Sequence, residues 1–403
     1  METDTQNISV DEKKIDELLS RGVSEVIVKE ELKKKLMSGQ KLRIKLGIDP
    51  TSPDIHIGRA VSLLKLRDFQ EMGHHIVLIV GDFTAVIGDT SDKDSERPML
   101  SQDVIEQNKK SYFEQAGKLL DLSKTEMRFN SEWLQNLTYR EIGEHADLFS
   151  VSDFINRDVI KRRLDQGKRV SLREVLYPLM QGYDSVAVQA DVELGGTDQR
   201  FNVLAGRPLQ IHFKQKPQDI VLSPLIDGLD GTKMSSSKGN GITLSAEPSD
   251  MYGKVMSMHD AQIGSYFELC TRVPMDEVNH ITQGLLDSSL HPKEAKMRLA
   301  REIVTLYHSK EAAQKAEENF TSAFSEGGVP EDIQEIEASG LLRETLVKNG
   351  IIVSNSEWTR LITAGAVRRI DKTIGDIKII SADAPAPSGA VYRIGKHRFV
   401  KIK

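Results

Sequence analysis

Five short stretches of the chain carry side chains whose types and spacing suit chemistry on a small polar substrate and a phosphate. In "GIDPTSPDIHIGRA", residues 47–60, His56, Gly58 and Arg59 follow Asp49 and Thr51 at the turn into a helical pattern. A helix start there offers unpaired N–H groups and a positive dipole to an anion. His56 can donate to a phosphate, and a flat base can lie on the Gly58 backbone. "YPLMQGYD" spaces Tyr177, Gln181 and Asp184 at i, i+4 and i+7, one face of one helix, among Leu176, Leu179, Met180 and Val186. A phenol, an amide and a carboxylate in apolar company need partners if buried. The pattern fits a pocket for a small ligand with an apolar body, or a solvated helix face. "LGGTDQRFN" supplies Gly195 and Gly196 for close backbone approach, Asp198 for sugar hydroxyls and Gln199 to orient a carboxylate; a plain turn is the alternative. "GDFTAVIGD" places Asp89 after Gly88, as an ammonium acceptor or a turn aspartate. "GTKMSSSKGN", residues 231–240, sets Lys233 and Lys238 around three serines: a polar linker, a phosphorylation target or a mobile cover for phosphates. The G-x-x-x-x-G-K-[ST] phosphate loop does not occur in the sequence.

The elements that must position these residues are partly legible. "LRIKLGIDP" reads as a strand stopped by Pro50, and "HIGRAVSLLKLRDFQEMG" as a helix stopped by Gly73. "HHIVLIVGDF" is a continuous apolar run, the mark of a strand buried on both faces. Strand, helix and strand in some forty residues form a parallel crossover unit. Residues 10–39 read as two charged helices broken at "SRGVS", and 101–173 as mainly helical. "VSLREVLYPLMQGYDSVAVQA" reads as a further helix, "DVELGG" and "QDIVLSPLI" as strands. "DMYGKVMSM" and "PKEAKMRLAREIVTLYHSKEAAQKAEENF" are helical patterns, and "SEGGVPED" a hinge. "SNSEWTRLITAG" is a helix with Ser354 and Glu357 as a capping box and Gly365 as its stop; short strands finish the chain.

Bulk composition narrows the class. A chain of 403 residues exceeds what one core usually serves, so two or three domains are expected. No apolar run approaches the length of a membrane span, and the polar start does not read as a signal peptide. The single cysteine, Cys270, excludes an internal disulfide and a cysteine-built zinc site, and points to a cytoplasmic location. Net charge is -6, unevenly spread: residues 341–403 hold twelve Lys/Arg against five Asp/Glu, a balance of +7 that leaves -13 for the rest. A small basic module on an acidic body is the pattern expected of a grip on a polyanion.

Taken in order, these motifs resemble the tyrosyl-tRNA synthetases of the class I aminoacyl-tRNA synthetases, bacterial type. "HIGR" is similar to their first signature and "KMSSS" to their second, with "DPT", "GD", "YPLMQGYD" and "GGTDQ" in matching order over nearly the whole chain. The resemblance implies an α/β fold: a Rossmann-like parallel-sheet catalytic domain at 1–240, with a helical insertion and dimer interface within about 101–173. A helical anticodon-binding domain at 241–330, a linker at 331–340 and a small α+β RNA-binding domain at 341–403 would follow. It implies ATP-dependent formation of tyrosyl-adenylate and transfer of the tyrosyl group to the terminal ribose of tRNA(Tyr). Mg2+ would arrive with ATP, and no residue is assigned to a metal of the protein's own. The catalytic set would be His56, Lys233 and Arg59. ATP would meet Asp49, Thr51, His56, Gly58, Gly196, Asp198, Lys233, Ser236 and Lys238. Tyrosine would meet Thr84, Asp89, Tyr177, Gln181, Asp184 and Gln199: Asp89, Tyr177 and Gln181 at its ammonium group, Asp184 at its phenol, Gln199 at its carboxylate. Arg368, Arg369 and Lys372 would touch tRNA.

The chain departs from the family pattern in three places. Arg59 stands where the first signature usually ends in a second histidine. Lys45 stands where many members carry a tyrosine that helps bind the substrate phenol. Ser236 occupies a position in the second signature that is commonly lysine. Three rivals remain at this level: a tryptophanyl-tRNA synthetase, a non-catalytic RNA-binding protein built on a synthetase body, and a nucleotidyl transferase. The aligned Tyr177, Gln181 and Asp184, with an acceptor carboxylate for a phenol, oppose the first, the presence of His56, Asp89 and Lys233 the second, and the basic tail the third.

Overall fold

The structure is a computed structural model that describes residues 8–89, 99–235, 238–325, 333–370, 377–395 and 398–403, without the side chains of 323–325. Its described residues fall into two compact units, one of 1–246 with 257–307 and one of 247–256 with 308–403.

The first unit is built on a six-stranded sheet: β1 (Glu25–Ile27), β2 (Arg43–Ile48), β3 (His75–Val80), β4 (Thr125–Phe129), β5 (Val192–Gly196) and β6 (Asp219–Ser223). Their spatial order is β1-β6-β5-β2-β3-β4, all parallel except β1, which runs antiparallel to β6. From β2 the chain steps one way through β3 and β4, and from β5 the other way to β6. The switch point where such sheets bind ligands therefore lies between β2 and β5. β3 is buried from Ile76 to Val80, as a strand covered on both faces should be. Val77 and Ile79 cluster with Val188 and Ala190, while the helix Ile57–Glu71 packs on β2, β3 and β5.

The strand–helix–strand unit is thus present as expected. Two strands were hidden in stretches that read as helical. β1 follows "SRGVS" between the helices Glu12–Leu18 and Lys29–Met37, and β4 interrupts the helices of 101–173. The long pattern from Pro292 divides into Pro292–Tyr307 and Lys310–Ser325.

The helix Leu172–Ala187 carries Tyr177, Gln181 and Asp184. It begins at Ser171, whose N–H donates to the Glu174 carboxylate at 3.1 Å. Pro178 lies inside it and has no N–H for the Glu174 carbonyl; the Arg157 guanidinium donates to that carbonyl instead, at 3.4 Å.

In the second unit the helices Pro248–Met256 and Lys310–Ser325 pack together, with the Tyr252 and Phe320 rings 5.4 Å apart. Its sheet is β7 (Gln334–Ile336), β8 (Val367–Ile370), β9 (Ile377–Lys378), β10 (Val391–Ile394) and β11 (Arg398–Ile402), in the order β7-β11-β10-β8-β9. Trp358, Leu346, Tyr392, Val400 and Ile402 belong to a core of its own. The helix Asn355–Thr363 is capped as expected: the Glu357 N–H donates to Ser354 Oγ at 3.2 Å, and Gly365 takes the left-handed conformation just past it. The Glu357 carboxylate accepts from the Val353 N–H rather than from Ser354.

These units cut the chain differently from the functional divisions expected above. Residues 257–307 cluster with the six-stranded sheet, and β7 falls in the stretch read as a linker. Most of the expected hinge "SEGGVPED" lies outside the described residues.

Candidate active site

β2 ends at Ile48 and β5 at Gly196, and between their C-terminal ends opens a cleft of about 720 Å³. It is lined by residues from every one of the five stretches, among them Asp49, His56, Asp89, Tyr177, Asp198 and Lys233. Thr51, Gly58, Arg59, Thr84, Gln181, Asp184, Gly196 and Gln199 line it as well.

At the end of β2, the buried Asp49 carboxyl accepts from Thr84 Oγ1 at 2.7 Å and from the Tyr177 hydroxyl at 2.8 Å. Burial pushes its pKa up to about 6, against the pull of these two donors. Burial and the neighbouring carboxylates likewise push the Tyr177 phenol well above its ordinary range, so it stays a donor. A Cβ at Gly81 would stand 2.2 Å from Asp49 Oδ1 and 2.3 Å from Thr84 Oγ1, so any larger residue there displaces this bonded pair.

His56 caps the helix Ile57–Glu71. Its Nδ1 accepts the Arg59 N–H at 3.3 Å, which leaves the proton on Nε2. Burial, with the Arg59 charge beside it, lowers its pKa to about 4, so the ring is a neutral donor at physiological pH. Arg59 itself braces the "DPT" turn. Its Nη1 donates to the Asp49 carbonyl at 3.1 Å and the Tyr112 hydroxyl at 3.2 Å, and Nη2 to Thr51 Oγ1 at 3.0 Å.

One wall of the cleft is the 172–187 helix, which contributes Tyr177, Gln181 and Asp184. Tyr177 is 6% exposed and Asp184 4%, which removes the solvated-face reading. The Asp184 carboxyl accepts from Trp133 Nε1 at 2.8 Å and Asn130 Nδ2 at 3.2 Å. Asn130 also donates to Thr84 Oγ1 at 2.8 Å, joining the two carboxyl sites. Burial raises the Asp184 pKa to about 7; the Lys45 charge opposes the rise. Across the cleft, Gln199 Nε2 donates to Asp89 Oδ2 at 2.8 Å and to Asp198 Oδ2 at 3.3 Å, while Asn202 fixes its carbonyl.

The stretch that opens "GTKMSSSKGN" reaches the first signature. Met234 is buried against Gly58, where a Cβ would meet its sulfur at 2.9 Å. Lys233 and Ser235 line the cleft. Lys238 stands outside the lining, its Nζ 3.4 Å from Thr232 Oγ1, and Ser236 lies outside the described residues.

Lys45 lines no part of the cleft. It is buried behind the helix, ion-paired with Glu193 at 2.9 Å. Asn130 and Trp133 were missed in the sequence; "FNSEW" just past the end of β4 was their available signal, since ligands gather at such strand ends.

Comparison with known proteins agrees with this geometry. Residues 37–325 match the family model for class I tRNA synthetases (W and Y). The chain is 44% identical to a tyrosine–tRNA ligase of Carboxydothermus hydrogenoformans, over 96% of this chain and 97% of that one. It is 45% identical to that of Moorella thermoacetica, over 96% and 94%.

The chain belongs to the class I tyrosine–tRNA ligases.

Its fold is also that of the Archaeoglobus fulgidus tyrosyl-tRNA synthetase solved with L-tyrosine, at a TM-score of 0.62 and 23% identity, covering 76% of this chain and 100% of that one. As a class I synthetase it uses ATP as a substrate. No helix among the described residues is long and apolar enough to cross a membrane.

Proposed function

We propose that the cleft holds L-tyrosine with its phenol at Asp184 and its ammonium group at Asp89, Tyr177 and Gln181, with Gln199 steering its carboxylate. The observation that carries this reading is the buried Asp184 carboxyl, held by Asn130 and Trp133 at the wall of the cleft. A phenol O–H adds a donor to an acceptor already taken out of water. A phenyl ring leaves that acceptor unpaired, which is the costlier outcome.

MgATP, bound as substrate, lies with its ribose toward Asp198 and its base on Gly58 and Gly196. Its phosphates meet His56 Nε2, Lys233 and the N-terminus of the 57–71 helix. The tyrosine carboxylate attacks the α-phosphorus and pyrophosphate leaves, so the protein supplies alignment and charge rather than a covalent nucleophile. Arg59 and Thr51 keep the "DPT" turn in place. The tyrosyl group then passes to the terminal ribose of tRNA(Tyr).

A second copy of the chain covers the 101–173 region. Tyr139, Val151 and Leu172, 93%, 74% and 71% exposed, support an interface there. The helices 248–256 and 310–325 face the anticodon, and the small sheet grips a tRNA arm. The lone, buried Cys270 is in keeping with a reducing cytoplasm.

The test is pyrophosphate exchange into ATP with tyrosine, tryptophan and phenylalanine supplied separately. Exchange with tyrosine alone is expected, and Asp184→Asn is expected to narrow the gap to phenylalanine. Exchange with tryptophan in preference to tyrosine overturns the reading, and no exchange with any of the three returns the chain to a binding protein.

A further inference from the structure

Lys45 and Glu193 form a charge pair with essentially no exposure, one on β2 and the other on β5, beneath the helix that carries the tyrosine contacts. The pair is fully bonded. Lys45 Nζ donates to Glu193 Oε1 at 2.9 Å, Ser185 Oγ at 2.8 Å and the Gln181 carbonyl at 2.9 Å. Glu193 Oε1 also accepts from Gln181 Nε2 at 3.1 Å, and Oε2 from Ser185 Oγ at 2.9 Å and from Gln218 Nε2. Stability alone is a weak reason for such a pair, because well-packed apolar side chains serve a core as well or better. Its contacts point elsewhere. Ser185 follows Asp184 in the chain, and Gln181 is one turn before it.

Resting on the assignment of Asp184 to the phenol, we propose that the Lys45–Glu193 pair is a specificity device beneath the 172–187 helix: Lys45 favours the acceptor form of Asp184, and Glu193 holds the Gln181 amide while opposing Lys45. This gives the lysine a role that needs no contact with substrate.

Among the described residues, the groups that act on Asp184 by charge or hydrogen bond come from several elements. Lys45 comes from β2 and Glu193 from β5. Asn130 and Trp133 come from beyond β4, with the Arg128 guanidinium 5.2 Å from the Trp133 ring centre. Tyr177, bonded to Asp49, comes from its own helix. Burial raises Asp184 to about 7; the Lys45 charge lowers it and the Glu193 charge raises it further. The two members of the pair therefore have opposite signs at the same carboxyl.

Those signs make the test. kcat/KM for tyrosine in pyrophosphate exchange is followed across about pH 5 to 9, with phenylalanine as the probe lacking the phenol; this ratio reports the free enzyme. The preference for tyrosine is expected to fall below an inflection set by Asp184. Lys45→Met moves that inflection up by about one pH unit, and Glu193→Gln moves it down by a similar amount. Lys45→Arg restores the wild-type position. A purely structural pair lowers activity without moving the inflection, or moves it the same way in both variants, and either result overturns the proposal. If Lys45→Met does not fold, the downward shift of Glu193→Gln carries the test. Asp184→Asn separates the two claims: an unchanged preference for tyrosine in that variant removes the Asp184 assignment itself. Lost preference there, with no shift in the pair variants, removes only the role of the pair.

Discussion

Asp49 and Asp184 are carboxyls held out of water, and both have pKa values raised by burial, to about 6 and about 7. The unfolded chain releases these protons near pH 4, whereas the native protein keeps them to higher pH. In that window the native state binds more protons, so the contribution of these groups to stability is full below about pH 4 and is lost as pH rises through their folded values. Asp184→Asn is therefore expected to gain stability relative to wild type between pH 5 and pH 8, by about 2 kcal/mol. Thermal unfolding of both proteins at the two pH values measures it; an equal difference at both shows that Asp184 does not titrate in that range. The same residue would then be worse for stability and better for tyrosine, as expected where binding demands a desolvated acceptor.

At the scale of the element, the segment around the second signature is organised by a residue outside its lysines. Asn240 Oδ1 accepts the Ser235 N–H at 3.0 Å, and Nδ2 donates to Asp230 Oδ1 at 2.9 Å and to Thr232 Oγ1 and the Lys233 carbonyl at 3.2 Å. Its own carbonyl accepts from Leu229 at 2.8 Å, so one side chain and one peptide hold both ends of the stretch together. Asn240→Ala is expected to lower kcat of pyrophosphate exchange about tenfold by loosening Lys233, with the KM for tyrosine unchanged. Lys238→Ala is expected to leave both unchanged. A loss at Lys238 matching that at Asn240 would return the second lysine to the mechanism. The motif lysine was legible in the sequence; its anchor was not, because an asparagine after glycine reads as any turn. β2, β3 and the 57–71 helix were legible from apolar runs and stops, since their burial is written into consecutive residues. β1 was not: three residues make a strand there only because β6 lies alongside. The site followed the same division. His56 caps a helix start and Tyr177 and Asp184 share a helix face, both of which spacing reveals, whereas Asp89 follows a short helix, Asp82–Ile87, that stands between it and the end of β3. The partners Asn130 and Trp133, and the pairing of Lys45 with Glu193, arise from strands and helices distant in sequence.

On the scale of the whole molecule, the catalytic sheet and the C-terminal sheet have separate cores, and their charges differ in sign. The strand register refines which basic residues can act together. Arg368 pairs across the ladder with Arg393 and with Lys378, and Lys401 shares their sheet face by alternation. Like charges directly opposite one another are mutually unfavourable, and a polyanion laid over this face would offset that. Arg369 pairs with the buried Tyr392 and falls on the core face, so it is a poorer contact than its neighbour; Lys372 lies outside the described residues. Because β7 is part of this sheet, a clean removal starts at residue 333. Deleting 333–403 is expected to leave tyrosine-dependent pyrophosphate exchange near wild type while removing most tRNA charging. Arg368→Glu with Arg393→Glu in the full chain should weaken charging and flatten its dependence on salt, since fewer counterions are then released from the RNA. Arg369→Glu should lower thermal stability more than it changes the salt dependence. Charging that survives both the deletion and the double reversal would place the tRNA grip elsewhere, on the body or on the helices 248–256 and 310–325.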